Sequence, residues 1–333
     1  MRFKTGRGAK VSREQGAAAR EPERDAEATP GPPPVRLNFV MAPSYHSSTL
    51  LAQLLNNHPE ISCLGDTLPH RRVHQNQACG CGQKVKDCPF WQEVNRRLDT
   101  DRFAHCDHMI PAYPQVVRSS GVNSYVARGL TAAALALGPG VWKLAGTSSR
   151  EFLETFLLYG EVVCEMHGTR VFVNNQKSLT SLLAFRSLLQ SRAEIRIIHL
   201  IRDPRGFFLS ERKQDALVSP RASAQRWLLY HRRVARLQRY AVPGGYLRLL
   251  YEDLCSDGDT AMAKVCALLG VEARPLCLPT VYPEKDHVLG NVTRFAFDGQ
   301  IRPSLKWMEA VSAADQQEIL RVTKPLSEEL GYV

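Results

Sequence analysis

The sequence predicts an α/β fold in which a mostly parallel central sheet is flanked by helices. Three observations lead there. Short, almost wholly apolar runs read as buried strands. Stretches with helical spacing, or with glycine and proline stops, lie between them. The two kinds alternate along the chain, which favours parallel strands joined by helices. Residues 35–41, Val-Arg-Leu-Asn-Phe-Val-Met, form the first strand. A small-residue loop at 42–48 follows, then a leucine-rich helix at 49–57 that His58-Pro59 stops. Residues 170–173 read as a second strand and 178–190 as a helix. The run 194–201, Glu-Ile-Arg-Ile-Ile-His-Leu-Ile, is the clearest buried strand. A long helix is expected over 220–240, with Trp227, Leu228, Tyr230, Val234 and Leu237 opposite Arg226, Arg232, Arg233, Arg236 and Arg239. Residues 245–251 form another strand, and 260–270 a helix closed by Gly270. The run 130–144 is interrupted by Gly138, Pro139 and Gly140, and reads as helix, turn and strand.

A chain of 333 residues can bury a large core, and its 44% hydrophobic and 23% charged residues are those of a soluble globular enzyme. The net charge of +10 points to anionic partners: a phosphorylated cofactor, an acidic glycan, nucleic acid or an anionic membrane surface. No run approaches the roughly 20 apolar residues that span a bilayer, and the first residues lack the apolar core of a secretory signal. Residues 1–34 read as a disordered basic arm ending at the Pro32-Pro33-Pro34 spacer, and 35–333 as one domain. A cytoplasmic location is expected, with the Golgi lumen as the alternative for a truncated chain, since a Golgi enzyme normally carries an anchor. The nine cysteines are an odd number, and Cys63, Cys164, Cys255, Cys266 and Cys277 fit reduced core thiols better than a disulfide framework.

The first strand, polar loop and helix form a geometry in which free backbone N–H groups meet the positive end of a helix dipole, a ready anion site. The loop lacks the Gly-Lys pair before Ser/Thr of a nucleotide-binding P-loop. What stands there is Ser44-Tyr-His-Ser-Ser-Thr-Leu-Leu51, followed by Asn57-His-Pro-Glu-Ile61 and Cys63-Leu-Gly-Asp66. This order resembles the 5′-phosphosulfate loop of sulfotransferases that use 3′-phosphoadenosine-5′-phosphosulfate (PAPS). A second stretch, His199-Leu-Ile-Arg202-Asp-Pro-Arg205-Gly-Phe-Phe-Leu-Ser210, resembles that family's 3′-phosphate segment, where a strand ends in arginine and a serine follows eight residues later. Tyr251-Glu-Asp-Leu254 resembles a structural stretch common in the family. His287-Val-Leu-Gly-Asn291-Val-Thr-Arg294 resembles its cofactor-closing loop. The resemblance spans about residues 36–310 and implies a P-loop-like sulfotransferase fold with an acceptor-binding insertion at about 67–165. It also implies a cofactor site of Ser44, Tyr45, His46, Ser47, Ser48, Thr49, Arg202, Ser210, Asn291 and Arg294, holding PAPS or its desulfated product PAP with no metal required.

For the chemistry, the resemblance places a general base at Asp66, where relatives carry glutamate. Lys177, in Asn174-Asn-Gln-Lys-Ser178, is the candidate for charge stabilisation. His46 stands where many relatives have Arg or Lys. Ser47 replaces their usual glycine, at a cost of about 1–2 kcal/mol if φ is positive. The expected reaction is sulfuryl transfer to a hydroxyl or amine of a small-molecule or glycan acceptor, an anionic one being favoured by the charge. Neither a specific nucleic acid nor a membrane span is implied. The alternatives are a degenerate PAP- or polyanion-binding protein and, less favoured, a nucleotide-dependent kinase. The segment Cys79-Gly-Cys81-Gly-Gln-Lys-Val-Lys-Asp-Cys88-Pro-Phe-Trp91 also resembles a branch of the family. Its cysteines could supply three zinc thiolates, with Cys63, His74 or Cys106 as a fourth ligand. The favoured reading is a cysteine-rich lid over the acceptor site, with no metal assigned.

Overall fold

In the computed structural model the described residues are 33–65, 76–98, 133, 138, 148–175, 177, 179–278 and 282–333. The arm expected at 1–34 (Pro33 and Pro34 apart) and most of the insertion expected at 67–165 lie outside them, as do the run 130–144 (residues 133 and 138 apart), Asp66, His74 and Cys106. The fold is that of the unit Pro34–Val333.

Five strands are joined by helices: β1 (Val35–Met41), α1 (Ser48–Asn56), β2 (Ile61–Ser62), α2 (Pro89–Arg97), α3 (Ser148–His167), β3 (Val171–Asn174), α4 (Leu179–Leu189), β4 (Ala193–Ile201), α5 (Pro204–Arg212), α6 (Pro220–Leu237), β5 (Ala241–Leu250), α7 (Tyr251–Ser256), α8 (Gly258–Leu269), α9 (Trp307–Ala310) and α10 (Ala313–Glu329). The sheet order is β2-β3-β1-β4-β5, and every pairing is parallel. β1 and β4 run in continuous register from Val35 opposite Ala193 to Met41 opposite His199. As the pleat requires, Leu37, Phe39 and Met41 of β1 face one buried layer with Ile195 and Ile197. Val40 faces the other layer with Ile198 and Leu200, against Leu51, Leu54 and Leu55 of α1. Each fully buried aliphatic side chain of this kind contributes about 1.5–3 kcal/mol, so both faces of the sheet must stay covered.

The strand read at 245–251 is longer than expected and begins at Ala241. Its register against β4 breaks between Ile195 and Ile197, where Val242-Pro243-Gly244-Gly245 is accommodated as an irregularity. The turn dipeptides there suggest a strand end, but a bulge at a sheet edge tolerates them. Tyr251 starts α7 instead of ending β5. None of the helices among the described residues is long and apolar enough to cross a membrane.

Candidate active site

In a parallel sheet every strand points the same way, so the loops leaving β1, β3, β4 and β5 gather at one edge. Those loops carry Ser44–Thr49, Lys177, Arg202 and Tyr251 respectively. Together, His46 apart, they line an open cavity of about 750 Å³, bordered also by Ser210 and Lys213, by Gly290 and Asn291, and by residues 297–304. Thus the structure brings together Ser44, Tyr45, Ser47, Ser48, Thr49, Lys177, Arg202, Ser210 and Asn291, from segments far apart in sequence. The residues that sequence reasoning missed include Gln53, Gln77, Lys213, Asp298 and Arg302. No motif marks them, because they reach the cavity through a neighbouring helix face or through loops of irregular backbone.

The first loop has the local geometry of an anion cradle. Tyr45 and Ser47 both take left-handed conformations, with φ of 67° and 60°, on either side of His46. Such alternation turns successive backbone N–H groups toward one concavity. Ser47 is also the N-cap of α1, makes no side-chain cap bond, and is followed by a first turn without acidic residues. The positive φ means that serine here carries the expected strain. Ser47→Gly is therefore expected to gain about 1 kcal/mol net of glycine's entropy and raise the melting temperature by roughly 2–4 °C. Calorimetry checks this; a lower melting temperature would count against strain at Ser47.

Arg202 directly follows β4, is 8% exposed, and lies over the Tyr251 ring at 4.9 Å, with one bond from Nη1 to Tyr45 O at 3.1 Å. Ser210 sits two turns into α5 and donates to Gly206 O. Lys177 has φ of 60°, and its carbonyl accepts from the Tyr230 hydroxyl at 3.2 Å. Asn291 N donates to Thr49 Oγ1 at 3.1 Å, tying the 287–294 segment to α1. Gly290 is needed for that contact, since a Cβ there would stand 2.4 Å from Thr49 Oγ1.

Two predicted residues are placed elsewhere. Arg294 does not line the cavity; its buried guanidinium donates to Gly290 O and Asn291 O at 2.6 and 2.8 Å and to Ala78 O. It braces the loop from behind. His46 is fully buried, and burial pushes its pKa down to about 3, so it carries no charge to the cavity. Its Nδ1 bonds Ser44 O at 3.1 Å and its Nε2 meets His231 Nε2 at 3.0 Å. His231 Nδ1 meets His199 Nε2 at 2.8 Å, and His199 Nδ1 meets the Tyr246 hydroxyl at 2.6 Å. One proton arrangement satisfies the whole chain: since Ser44 O only accepts, His46 Nδ1 donates to it, and each partner in turn donates inward from Tyr246. All three imidazoles are neutral in it, and the network fixes the first loop from beneath.

That neutrality has a pH consequence. Burial lowers the pKa of His46 and His199 to about 3, and lowers that of His231 well below its ordinary value. Below about pH 6.5 the unfolded chain binds protons that the folded chain refuses, so stability is lost as pH falls from about 6.5 toward 3, by up to about 1.4 kcal/mol per pH unit for each histidine. Thermal melts at neutral pH and near pH 5 should therefore diverge; equal melting temperatures would mean that the triad is not neutral.

The "Asn-His-Pro" piece proves structural. Asn56 and Asn57 each exchange two side-chain bonds with one backbone partner, Cys63 and Cys277. His58 Nε2 donates to Glu272 O at 2.8 Å, and its carbonyl accepts from buried Lys285. Glu252 of the Tyr-Glu-Asp-Leu stretch is structural too, accepting from Asp203 N and the Tyr332 hydroxyl; burial raises its pKa. The segment 76–98 reaches the cavity through Gln77, while Cys79, Val85, Cys88, Phe90, Trp91 and Val94 form a core of their own against α3. Among the proposed fourth ligands, Cys63 is buried in the core against α1 and is not one of the donors gathered at this group, and Cys277 proves exposed where a core thiol was expected.

None of the curated proteins matches this chain. Solved structures resemble it, among them two sulfotransferase domains. The sulfotransferase domain from the Synechococcus PCC 7002 olefin synthase is 17% identical, with a TM-score of 0.50 over 89% of this chain and 95% of that one. The sulfotransferase domain from the curacin biosynthetic pathway is 14% identical, with a TM-score of 0.41 over 89% and 98%. At these identities the first bears on the fold alone. The sequence model of the sulfotransferase family matches residues 47–275, which begins inside the anion loop and takes in β2 through α8 with Arg202 and Ser210. By that match, over more than half its length, this chain belongs to the sulfotransferase family.

Proposed function

We propose that this chain transfers a sulfuryl group from PAPS to a hydroxyl or amine of an acceptor by in-line displacement. The observation that carries the reading is the convergence of the Ser44–Thr49 loop with Arg202 and Ser210 on one cavity, the two ends at which a doubly phosphorylated adenosine would be gripped. The residues fit such a group. The volume of about 750 Å³ lies within the roughly 300–1,000 Å³ usual for cofactor sites. Lys177, Arg202, Lys213 and Arg302 line it against one carboxylate, Asp298, among the described residues.

PAPS supplies the sulfuryl group as a phosphate–sulfate anhydride, leaving PAP. The chain's own part is to hold and to screen. Backbone N–H groups at the start of α1 bind the 5′ side; Arg202 and the Ser210 hydroxyl bind the 3′-phosphate; Asn291 closes the loop that Arg294 braces. Lys177 stabilises charge on the transferring group. Asp66 is the proposed base; Asp66→Asn should keep PAP affinity and slow turnover, and an unslowed variant would remove it from that role. An anionic small molecule or glycan is the acceptor class this charge favours.

Titration calorimetry with PAP in magnesium-free buffer tests the reading. Micromolar binding without magnesium is expected. Binding only with magnesium would favour a kinase, which needs the ion to bridge phosphates. Absence of PAP binding would overturn the proposal, and binding without turnover would leave the degenerate-scaffold alternative.

A further inference from the structure

We propose that Cys79, Cys81, Cys88 and His287 bind one zinc ion in a closed structural site that staples the segment 76–98 to the loop closing the cavity. The four donor atoms, one from each side chain, lie within 4.8 Å of one another. Cys81 Sγ to Cys88 Sγ is 3.7 Å, Cys88 Sγ to His287 Nδ1 is 3.6 Å, and Cys79 Sγ to His287 Nδ1 is 3.4 Å. A tetrahedron with Zn–S near 2.3 Å and Zn–N near 2.0–2.1 Å has edges of about 3.8 Å between sulfurs and about 3.6 Å from sulfur to nitrogen. These three edges match that tetrahedron, and the remaining donor pairs lie within 4.8 Å, close enough for a small side-chain adjustment to complete it. They do not match a disulfide, whose sulfurs stand about 2.05 Å apart.

The surroundings are arranged to hold the ligands in place. Cys79 N donates to Gln83 O and Gly82 N donates to Cys79 O, making a tight turn that brings Cys79 and Cys81 to one side. Gly80 is required in it: a Cβ would stand 2.4 Å from Asp286 Oδ1 and 2.6 Å from Asp286 O. Cys88 is the N-cap of α2, where the helix dipole favours a thiolate. The His287 ring lies flat on Phe90, with centroids 4.1 Å apart and planes within 3°, which fixes the direction of Nδ1. Three soft thiolates and one imidazole with no carboxylate among the donors select zinc over magnesium or calcium. With four protein ligands the site has no open position, so its role is structural.

His287 comes 199 residues after Cys88, so the ion would close a long loop. Leu289 N donates to Leu64 O, Gln77 Nε2 to Gly290 O, and Arg294 to Ala78 O, all within reach of the same staple. The inference does not depend on what the cavity binds.

The test is metal analysis of the full chain purified without added chelator, together with cobalt substitution. Close to one zinc per chain is expected, released in proportion as the thiols are titrated with a mercurial. Cobalt(II) in its place should give the intense visible bands of a tetrahedral thiolate site. Cys81→Ser and His287→Ala should each lose most of the zinc; Cys277→Ser, at an exposed thiol outside the donor group, should keep it. Because the ligand variants could misfold, the wild-type measurements decide. A wild-type chain that holds less than a tenth of an equivalent after purification in zinc-supplemented buffer, and gives no cobalt–thiolate bands, would overturn the proposal.

Discussion

Arg202→Ala is expected to weaken PAP binding about 10- to 150-fold while the fold is retained. Hydrogen bonds to an ionised partner contribute about 1.5–3 kcal/mol, and each 1.4 kcal/mol is tenfold in affinity. A guanidinium has five N–H donors, and the geometry shows one of them engaged, with Tyr45 O. The side chain is held in place by the Tyr251 ring and by the absence of a Cβ at Gly206, where a methyl would come within 3.1 Å of Nε. It is therefore oriented before any anion arrives, which limits the entropy lost on binding. The neighbouring arginine is the natural control. Arg205 is committed to Asp203, to Tyr332 O and to the face of Trp307 at 3.9 Å. Arg205→Ala should lower stability and leave PAP affinity nearly unchanged. Calorimetric titration of both variants decides the matter: equal PAP affinity in wild type and Arg202→Ala would remove the 3′-phosphate assignment.

Lys177→Gln is expected to lower turnover by about 10²- to 10³-fold with PAP binding largely retained, the loss typical of removing one preorganised donor from a developing charge. PAP has no sulfuryl group, so a residue that acts on the transferring group affects PAP affinity little. The backbone supports a functional role. A lysine at φ 60° is strained by about 1–2 kcal/mol, and strain of this kind persists where tertiary contacts enforce it, here the Tyr230 hydroxyl on the Lys177 carbonyl. Gln keeps a polar end and the backbone demand while removing the charge, at the loss of one atom in length. Turnover is read as PAP released from PAPS, with circular dichroism as the folding control. Unchanged turnover would show that Lys177 is a solvated residue at the start of α4.

What the sequence determined by itself is local and periodic. β1, β4, α1 and the long α6 were legible within a few residues, because continuous apolar runs and cap or stop residues report burial directly. The first loop was legible as strand, small polar residues and helix. The strain at Ser47 was legible only as a condition on φ, and the structure supplies the positive value of 60°. Only the tertiary structure decided the rest. His46, placed by sequence at the phosphates, is drawn into the interior by His231 and His199, residues of α6 and β4 that no local pattern links to it. Arg202 and Arg205, three residues apart, divide into a cavity cation and a structural ion pair according to which side of the α5 N-terminus each side chain meets. Cys79, Cys81 and Cys88 found their fourth partner in His287, which no spacing rule could reach across 199 residues. Sequence patterns report what a residue does to its near neighbours. Which distant groups share a site is set by the parallel sheet, which gathers its strand ends at one edge, and by the loops packed against it.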